Sequence, residues 1–212
     1  MKVNELPTIV IATRNEGKLR EFQTLLRPLG CDIRSLKDLS IDVEIEESGD
    51  TFAENARLKA IGYSRWTPFP VLADDSGLEV EALGGHPGIH SARYAGPGAS
   101  DADRIRKLLV ELEQCGGLSA ANAGARFVCA LALARHGEVT LETEGICTGI
   151  IIRNARGTNG FGYDPIFLFS DLGKTFAELS DEEKNRHSHR AHAAGILLSH
   201  IKANPELFHR DE

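Results

Sequence analysis

The stretch TIVIATRNEGKLREFQTLLRPLG, residues 8–30, decides the fold of this chain. Its first part, Thr8 to Thr13, is a short run of apolar and β-branched residues, which predicts a strand buried on both faces. From Asn15 to Leu29 the apolar residues recur at helical spacing, and Gly30 is a typical residue just beyond a helix end. A strand, a tight turn and a helix in succession are typical of α/β proteins.

The rest of the sequence predicts further strands and helices. Capping-box patterns predict helix starts at Thr51 and Ser180, and the turn dipeptide His136-Gly137 predicts a hairpin. The predicted elements are a helix from Thr51 through Tyr63, a strand over Pro70–Asp74 with Leu78–Leu83 as its hairpin partner or neighbour, a helix from Ser100 or Asp101 to about Glu113, hairpin strands Arg126–Arg135 and Glu138–Arg153, and a last long helix from Ser180 through Ile201. With 212 residues and 42% apolar content, this order predicts one α/β domain over residues 1–212, with a mixed central β-sheet flanked by helices.

Charge and hydropathy restrict the partners of the chain. A formal net charge of −7 argues against a nucleic-acid-binding surface, which normally carries a basic face. No stretch approaches about 18 consecutive apolar residues, and the start lacks the long apolar core of a secretion signal. We therefore expect no membrane partner and a cytoplasmic location. Any polyanionic ligand must be bound locally, by a few basic side chains and a metal.

Three polar segments carry more chemistry than folding requires, and the first is the loop between the first strand and helix. Its residues are Thr13, Arg14, Asn15, Glu16, Gly17 and Lys18. Backbone N–H groups at a helix N-terminus, a glycine that allows close approach and a lysine together predict a phosphate-binding loop. The spacing is not that of a Walker motif. From these residues alone, an ordinary strand-to-helix turn is an equally good interpretation.

The second segment is the acidic pair Asp74-Asp75, followed by Ser76-Gly77. Adjacent carboxylates at the end of a buried strand repel each other, so we expect a cation or hydrogen bonds to neutralise one of them. Carboxylate oxygens suit Mg²⁺, which bridges to substrate phosphates while one carboxylate orients or deprotonates water. Glu46-Glu47 offers another carboxylate before the second helix. The alternative is an Asx-type turn with solvated acids.

The third segment combines an aromatic turn with basic residues further along the chain. The turn is Phe161-Gly162-Tyr163-Asp164, and the basic residues are Lys184, His189 and Arg190. An aromatic ring flanked by glycine can stack on a base, and His189 and Arg190 can donate hydrogen bonds to an oxo group on a purine edge. On these grounds alone, a solvated polar helix face is the favoured interpretation. A zinc site of His187, His189 and His192 is disfavoured, because their spacing does not place all three on one helix face.

Five blocks in combination carry a family resemblance. They are IVIATRNEGKLREF (9–22), ESGDTFAENARLKA (47–60), VLADDSGLEVEALGGHPGIHSARYAG (71–96), GFGYDPIF (160–167) and EEKNRHSHRAHA (182–193). In this order they closely resemble the noncanonical purine nucleoside triphosphate pyrophosphatases, the inosine/xanthosine triphosphatase family. The resemblance implies an elongated α/β fold with two lobes around a deep nucleotide-binding cleft, and a homodimer.

The resemblance also implies an activity and residue roles. The reaction is hydrolysis of ITP, dITP and XTP to the nucleoside monophosphate and pyrophosphate, with Mg²⁺ as cofactor. By position, Thr13–Lys18 resembles the triphosphate-binding loop. Asp75 is similar to the proton acceptor and a magnesium ligand, Glu47 to a second metal-associated carboxylate, and Ser76 to a substrate contact. The remaining roles are base stacking by Phe161–Asp164 and purine recognition by Lys184, His189 and Arg190.

Two residues depart from the pattern of the family it resembles. Arg14 stands where many members have glycine or asparagine, and we expect it to add a phosphate contact. His187 stands where an aliphatic residue is common, and we expect it to alter packing. Neither changes the family to which the five blocks point.

Two other functions remain open at this point. One is a pyrophosphatase for modified pyrimidine triphosphates on a related fold, and the other is a non-catalytic nucleotide-binding regulator. Within the purines, donors aimed at a 6-oxo group would select inosine and xanthine over adenine, because adenine presents an amino group there and leaves the donors unpaired. A panel of nucleotides separates the three functions.

Overall fold

The computed structural model describes residues 7–118 and 123–208, which form a seven-stranded mixed sheet flanked by helices. The strands are β1 (Thr8–Ala12), β2 (Asp32–Ser35), β3 (Val71–Val80), β4 (Gly124–Arg135), β5 (Glu138–Ile151), β6 (Phe167–Phe169) and β7 (Lys174–Thr175). The helices are α1 (Glu16–Leu25), α2 (Phe52–Ser64), α3 (Asp101–Gln114), α4 (Asp181–His187) and α5 (His189–Ala203). The predicted α/β fold with a mixed central sheet is confirmed.

The sheet has the strand order β2-β1-β3-β4-β5-β6-β7. β1 pairs in parallel with β2 and β3, whereas β6 pairs antiparallel with β5 and β7. β4 and β5 form the predicted hairpin, and the φ angles of His136 and Gly137, 53° and 86°, are those of a tight hairpin turn. Because β1 and β3 are parallel, the loop after β1 lies beside the stretch of β3 that follows Ala73. The candidate phosphate-binding loop Thr13–Lys18 and the acidic pair Asp74-Asp75 therefore lie side by side beyond the carboxyl end of β1.

Side-chain caps begin four of the α-helices in the described part of the chain. Asn15 caps α1. The other three helices begin with complete capping boxes, which pair Thr51 with Glu54 in α2, Ser100 with Asp103 in α3, and Ser180 with Glu183 in α4. The predicted starts of these helices are confirmed.

Helix α1 is shorter than its apolar spacing predicts. It ends at Leu25, and the chain continues as a 3₁₀ turn over Arg27–Leu29 that stops at Gly30, whose φ is 60°. Pro28 explains the early end, because proline has no N–H to donate and its ring obstructs the preceding turn. The prediction of a helix as far as Leu29 is therefore wrong by one turn.

The acidic pair lies inside a strand and not at its end. β3 runs without a break from Val71 to Val80, so the predicted division into Pro70–Asp74 and a separate strand Leu78–Leu83 is wrong. Its last paired residue opposite β1 is Ala73, which pairs with Ala12, and β1 ends there. Asp74 and Asp75 are thus the first two residues of the part of β3 that extends beyond β1.

Gly77 allows β3 to continue past this point, because a neighbouring segment lies against it. Ser91 Oγ accepts a hydrogen bond from Leu78 N at 2.9 Å and donates one to Gly88 O at 2.6 Å. A Cβ at position 77 would lie 2.4 Å from Ser91 Oγ and 2.6 Å from Gly88 O. We expect Gly77→Ala to lower the free energy of unfolding by about 2 kcal/mol in urea titration, since a backbone carbonyl has to move.

Gly195→Ala is the matched control for that substitution. A Cβ at Gly195 meets no atom within 4 Å, and the residue lies inside α5, where alanine is about 1 kcal/mol more favourable than glycine. The control should be at least as stable as the wild type. An unchanged urea midpoint for Gly77→Ala would contradict the close approach at Ser91.

The last predicted helix is divided in two. α4 ends at His187 and α5 begins at His189, with Ser188 between them in an extended conformation of φ −72° and ψ 158°. This backbone is typical of the residue that caps a helix start, a position that serine favours. The prediction of one continuous helix from Ser180 through Ile201 is therefore wrong, although both of its ends are helical.

The described residues form two compact units, each with its own core. The first unit comprises residues up to Asp75, Cys129–Gly145 and residues from Arg190 on, and its core includes Phe22, Leu26, Leu72, Leu131 and Leu197. The second unit comprises Ser76–Val128 and Ile146–His189, and its core includes Leu108, Leu112, Phe127, Phe167 and Phe176. β3, β4 and β5 contribute residues to both units.

A single domain over residues 1–212 stays a prediction, and residues 1–6, 119–122 and 209–212 of it lie outside the described residues. Two lobes around a deep nucleotide-binding cleft also stay a prediction. Within the described ranges, no helix has both the length and the apolar character needed to cross a membrane.

Candidate active site

The loop after β1 has the local structure of a capped helix start. Asn15 Oδ1 accepts a hydrogen bond from Lys18 N at 3.0 Å, and Thr13 Oγ1 accepts one from Asn15 N at 3.2 Å. Glu16 and Gly17 begin α1, where the backbone N–H groups of the first turn point out of the helix end. This arrangement supports a phosphate-binding loop. Phosphate binding by these residues stays a prediction.

Arg14 contacts the segment that precedes α2. Its Nη2 donates hydrogen bonds to Asp42 O at 2.8 Å and to Val43 O at 3.1 Å. These bonds hold an exposed guanidinium against backbone carbonyls, so they support a role in fixing this segment. The added phosphate contact expected of Arg14 stays a prediction.

Asp74 is the central anion of a buried ion cluster in the first unit. Lys18 Nζ lies 2.9 Å from its Oδ1, and Arg190 Nε lies 3.6 Å from its Oδ2. Arg190 Nη1 also donates a hydrogen bond to Glu21 Oε2 at 3.0 Å. The Asp74 side chain is only 2% exposed, so its charge depends on these partners. The cluster ties α1 and the first turn of α5 to β3, and the predicted neutralisation of one acid is confirmed.

The same ion pairs decide the protonation of Asp74. Burial alone raises the pKa of a carboxyl, but the charges of Lys18, Arg190 and Lys59 outweigh burial and hold the pKa of Asp74 well below its ordinary value. Cys129 Sγ lies 3.9 Å from Asp74 Oδ2, and burial together with that carboxylate raises the pKa of the thiol. At neutral pH, Asp74 is therefore ionised and Cys129 is an unreactive thiol.

Asp75 lies on the opposite face of β3, because successive side chains of a strand alternate. Its Oδ1 is 3.4 Å from Lys59 Nζ, and the same ammonium is 2.7 Å from Glu47 Oε2. Lys59 thus connects the two carboxylates that were predicted to hold a metal. Asp75 is buried, so the alternative of an Asx-type turn with solvated acids is wrong.

Burial and charge act on Asp75 and Lys59 in opposite senses. Burial raises the pKa of Asp75, and with the charges of Glu47 and Asp74 it exceeds the lowering effect of Lys59 and Lys18. Burial lowers the pKa of Lys59, but the charges of Asp75, Asp74 and Glu47 outweigh it, so the pKa is raised. Lys59 therefore keeps its charge, and Asp75 is a stronger base than an exposed aspartate.

Helix α2 positions Lys59, a residue that the sequence analysis missed. Its buried side chains recur at helical spacing and belong to Phe52, Asn55, Ala56, Lys59, Ala60, Tyr63 and Ser64. Asn55 Oδ1 accepts a hydrogen bond from Gly49 N at 2.8 Å, which fixes the segment that carries Glu47. A lysine within an apolar stripe is unusual unless it is paired, and this was the signal available in the sequence.

The aromatic turn belongs to the second unit, where Asp164 organises it. Asp164 Oδ2 accepts hydrogen bonds from Phe161 N at 2.9 Å and from Lys184 Nζ at 2.6 Å. Lys184 Nζ lies 4.8 Å from the centroid of the Phe161 ring, within the range of a cation–π interaction. Tyr163 Oη donates a hydrogen bond to Ser91 O at 3.0 Å. Phe161 is half-buried.

The basic residues of the C-terminal segment are buried. Lys184, His189 and Arg190 are all less than 5% exposed, so a solvated helix face is the wrong interpretation for them. The His189 ring stacks on Phe127, with centroids 4.8 Å apart and an interplanar angle of 13°. The structure brings Lys184 to Phe161, places His189 in the core of the second unit, and pairs Arg190 with Asp74 and Glu21 in the first unit. Purine recognition by these three residues stays a prediction.

Two other residues singled out in the sequence have simple environments. Ser76 is half-buried in β3, directly after Asp75. His187 ends α4, and its ring packs at 5.3 Å from that of Phe169. The substrate contact expected of Ser76 stays a prediction.

The carboxylates of Asp75 and Glu47 fit a hard divalent cation. They converge on one cation, the Lys59 ammonium, and Asp75 Oδ2 is buried with no hydrogen-bond partner among the described residues. Over residues 7–118 and 123–208 there is no group of three or more His, Cys, Asp or Glu side chains placed to hold a metal. Mg²⁺ is commonly held by one or two carboxylates, with water and substrate phosphates as its other ligands. The pair therefore fits an ion shared with a phosphate-bearing ligand.

Comparisons with known proteins give the relationship of this chain. The Ham1 family model matches residues 9–200. The dITP/XTP pyrophosphatase of Bacillus licheniformis is 52% identical over 185 residues, which cover 87% of this chain and 93% of that protein. The structure of a HAM1 protein from Coxiella burnetii has 42% sequence identity and a TM-score of 0.83, and the match covers 92% of this chain and 98% of that one. The Staphylococcus aureus Ham1 protein has 40% identity and a TM-score of 0.81, with coverage of 92% and 98%.

These matches include every segment of the candidate site. The matched range contains the loop Thr13–Lys18, the acidic strand β3, the aromatic turn and the start of α5. The family resemblance inferred from the five sequence blocks is confirmed, and the chain belongs to the Ham1 family.

Proposed function

We propose that this protein hydrolyses ITP, dITP and XTP to the nucleoside monophosphate and pyrophosphate, and so removes deaminated purines from the nucleotide pool. The observation that carries the proposal is the 52% identity to a dITP/XTP pyrophosphatase over 87% of the chain. The buried acid Asp75 supports an enzyme more than a pure binder. Burying a carboxylate oxygen without a hydrogen bond opposes folding, and a reaction that needs a base explains why it is there.

Asp75 is the proposed proton acceptor of this reaction. The oxygen of a water molecule bonds to the α-phosphorus, the bond from that phosphorus to the oxygen bridging the β-phosphate breaks, and pyrophosphate leaves with the bridging oxygen. Asp75 takes the proton from the attacking water. Before a metal binds, burial raises the pKa of Asp75 and so increases the basicity of the carboxylate, whereas a bound Mg²⁺ would act in the opposite sense.

The cations around β3 are proposed to offset the charge of the triphosphate. Lys18 lies at the start of α1 and Lys59 lies between Glu47 and Asp75, so both are held in place before a ligand binds. Mg²⁺, held by Asp75 and Glu47, supplies charge neutralisation at phosphate oxygens when bound. Phosphoryl chemistry of this kind depends on positioning and electrostatics, and these fixed residues supply both.

The second unit is proposed to recognise the base. Phe161, a half-buried residue, is the proposed stacking partner of the base, and the Lys184 ammonium beside its ring is a proposed donor for a 6-oxo group. Inosine and xanthosine satisfy such a donor, whereas the 6-amino group of adenine does not. Donation by His189 and Arg190 is part of the same proposal. All three side chains are buried, and Arg190 pairs with Asp74 and Glu21 as Lys184 pairs with Asp164.

A nucleotide panel tests the proposal. We expect turnover of ITP, dITP and XTP with Mg²⁺, at least about 100-fold lower kcat/KM for ATP, and no turnover when EDTA removes the metal. A preference for modified pyrimidine triphosphates would indicate the related pyrimidine enzyme. Binding of ITP without turnover would indicate a nucleotide-binding regulator. Full activity in EDTA would overturn the metal requirement alone.

The assembly, location and remaining partners are also proposals. A homodimer is implied by the sequence resemblance, and light scattering tests it by comparing the mass in solution with twice the chain mass of 23.1 kDa. The net charge of −7 supports a protein that does not bind nucleic acid. A cytoplasmic location suits an enzyme that acts on the nucleotide pool.

A further inference from the structure

The aromatic turn has an anchor on a distant helix. Asp101, the first residue of α3, accepts a hydrogen bond through Oδ2 from Gly162 N at 2.7 Å. We propose that Asp101 is a positioning residue for base recognition, which holds the turn so that the Phe161 ring can stack on the base. The inference rests on the proposed function, because it names the residue that fixes the base-binding end of that site.

The turn needs such an anchor because glycine makes its backbone permissive. Gly160 and Gly162 have φ angles of 74° and 62°, in the left-handed region that favours glycine. A Cβ at Gly160 would lie 2.1 Å from Asp164 Oδ2, so glycine is required for the close approach of that carboxylate. Without hydrogen bonds to the rest of the second unit, these residues would populate other conformations, and Phe161 lies between them.

Asp101 is itself held in place. Its Oδ1 forms an ion pair with Arg104, and Arg104 Nη1 donates hydrogen bonds to Ala92 O at 2.8 Å and to Ala99 O at 2.9 Å. The carboxylate also lies at the N-terminus of α3, where the helix dipole favours a negative charge. Asp101 therefore connects a rigid helix start to Gly162.

The anchors of the turn act on different residues. Asp164 binds the backbone N–H of Phe161 and the ammonium of Lys184, and Tyr163 binds Ser91 O. Asp101 adds a charge-assisted bond at Gly162, the residue directly after the stacking ring. Loss of this bond should loosen the ring without removing any group proposed to contact the phosphates.

Kinetics of Asp101→Ala test the role. We expect KM for dITP to rise about tenfold with kcat changed less than about twofold, because stacking contributes to substrate binding before the reaction as well as during it. The ratio of kcat/KM for dITP to kcat/KM for dATP should fall as KM for dITP rises. Asp101→Asn keeps an oxygen acceptor for Gly162 N and should restore most of the wild-type KM.

Asp103→Ala is the matched control. Asp103 lies in the same first turn of α3, forms the capping box with Ser100, and pairs with Arg106 at 2.8 Å. Its loss should destabilise the helix start as much as or more than the loss of Asp101. KM and substrate discrimination should nevertheless stay at the wild-type values.

Hydrogen exchange of the Gly162 amide gives a readout that needs no nucleotide. We expect faster exchange in Asp101→Ala and wild-type exchange in Asp103→Ala. If Asp101→Ala matches Asp103→Ala in KM, discrimination and exchange, the positioning role is overturned. If the Gly162 amide exchanges faster but KM and discrimination are unchanged, Asp101 anchors the turn without serving base recognition, and the proposal is also overturned. A wild type that turns over neither dITP nor XTP overturns the proposed function, while amide exchange still decides the anchor.

Discussion

Asp75→Asn is expected to lower kcat for dITP about 10³-fold while the protein stays folded. Asparagine keeps the shape of the side chain but does not accept a proton from water at neutral pH. The folded-state pKa of Asp75 is raised, chiefly by burial, so the stability linked to its protonation is present at low pH and is lost as pH rises through that pKa. At neutral pH the ionised carboxylate opposes folding. The substitution also removes one of the two carboxylates that pair with the buried Lys59, which acts in the opposite sense, so we expect the unfolding temperature to stay close to that of the wild type.

Initial rates and thermal unfolding on the same preparations measure both effects. Glu79→Gln is the control, because Glu79 lies in the same strand and its carboxylate pairs with Arg126 Nε at 2.6 Å. It should keep the wild-type kcat. If Asp75→Asn retains more than about one tenth of the wild-type kcat, Asp75 is not the proton acceptor.

Asp74→Asn is expected to act mainly on stability, with a loss of about 3 kcal/mol and a fall of roughly 10 °C in unfolding temperature. The substitution removes the charge shared by Lys18 and Arg190, whose side chains are 16% and 5% exposed. Breaking a buried ion cluster on one side is costly because the remaining charges stay out of water. Two neighbouring acids in one strand thus have separable roles, one in folding and one in the reaction.

The pH dependence of stability checks the role of Asp74. Its folded-state pKa is lowered, so its contribution is present above the unfolded value near 3.8 and is lost as pH falls through the folded value. Urea unfolding should show the full difference between wild type and Asp74→Asn at neutral pH and a smaller one below about pH 3. Lys18→Met should lower the free energy of unfolding by a similar amount, and the double variant of Asp74→Asn and Lys18→Met should lose less than the sum of the two single losses. Wild-type stability of Asp74→Asn at neutral pH would contradict this account.

Local signals predicted most of the fold. The run Thr8–Thr13 predicted a buried strand, the capping boxes predicted helix starts, and His136-Gly137 predicted the hairpin, because each depends on residues close in sequence. The continuity of β3 depends on Ser91, which supplies the hydrogen bond that lets the strand pass Gly77. The turn that Ser76-Gly77 suggests in the sequence does not form, and the contact with Ser91, a later residue, accompanies the continuous strand.

In the candidate site too, features formed by neighbouring residues were visible in the sequence, whereas contacts between distant residues were not. The acidic pair and the aromatic turn are visible as patterns, whereas the partners of Asp74 come from α1 and α5, at opposite ends of the chain. Lys59 was detectable as a lysine in an apolar stripe of α2. No local pattern connects Asp101 with Gly162, since the bond exists only once α3 and the turn are packed together.

The most direct test of the central claim is to identify the phosphorus products of dITP hydrolysis by ³¹P NMR, with wild type and Asp75→Asn in parallel. We expect pyrophosphate and dIMP in equal amounts from the wild type with Mg²⁺, and no product from Asp75→Asn or from the wild type in EDTA on the same time scale. Release of orthophosphate with dIDP as the other product would contradict attack at the α-phosphorus. Unimpaired pyrophosphate release by Asp75→Asn would contradict the assignment of Asp75 as the base.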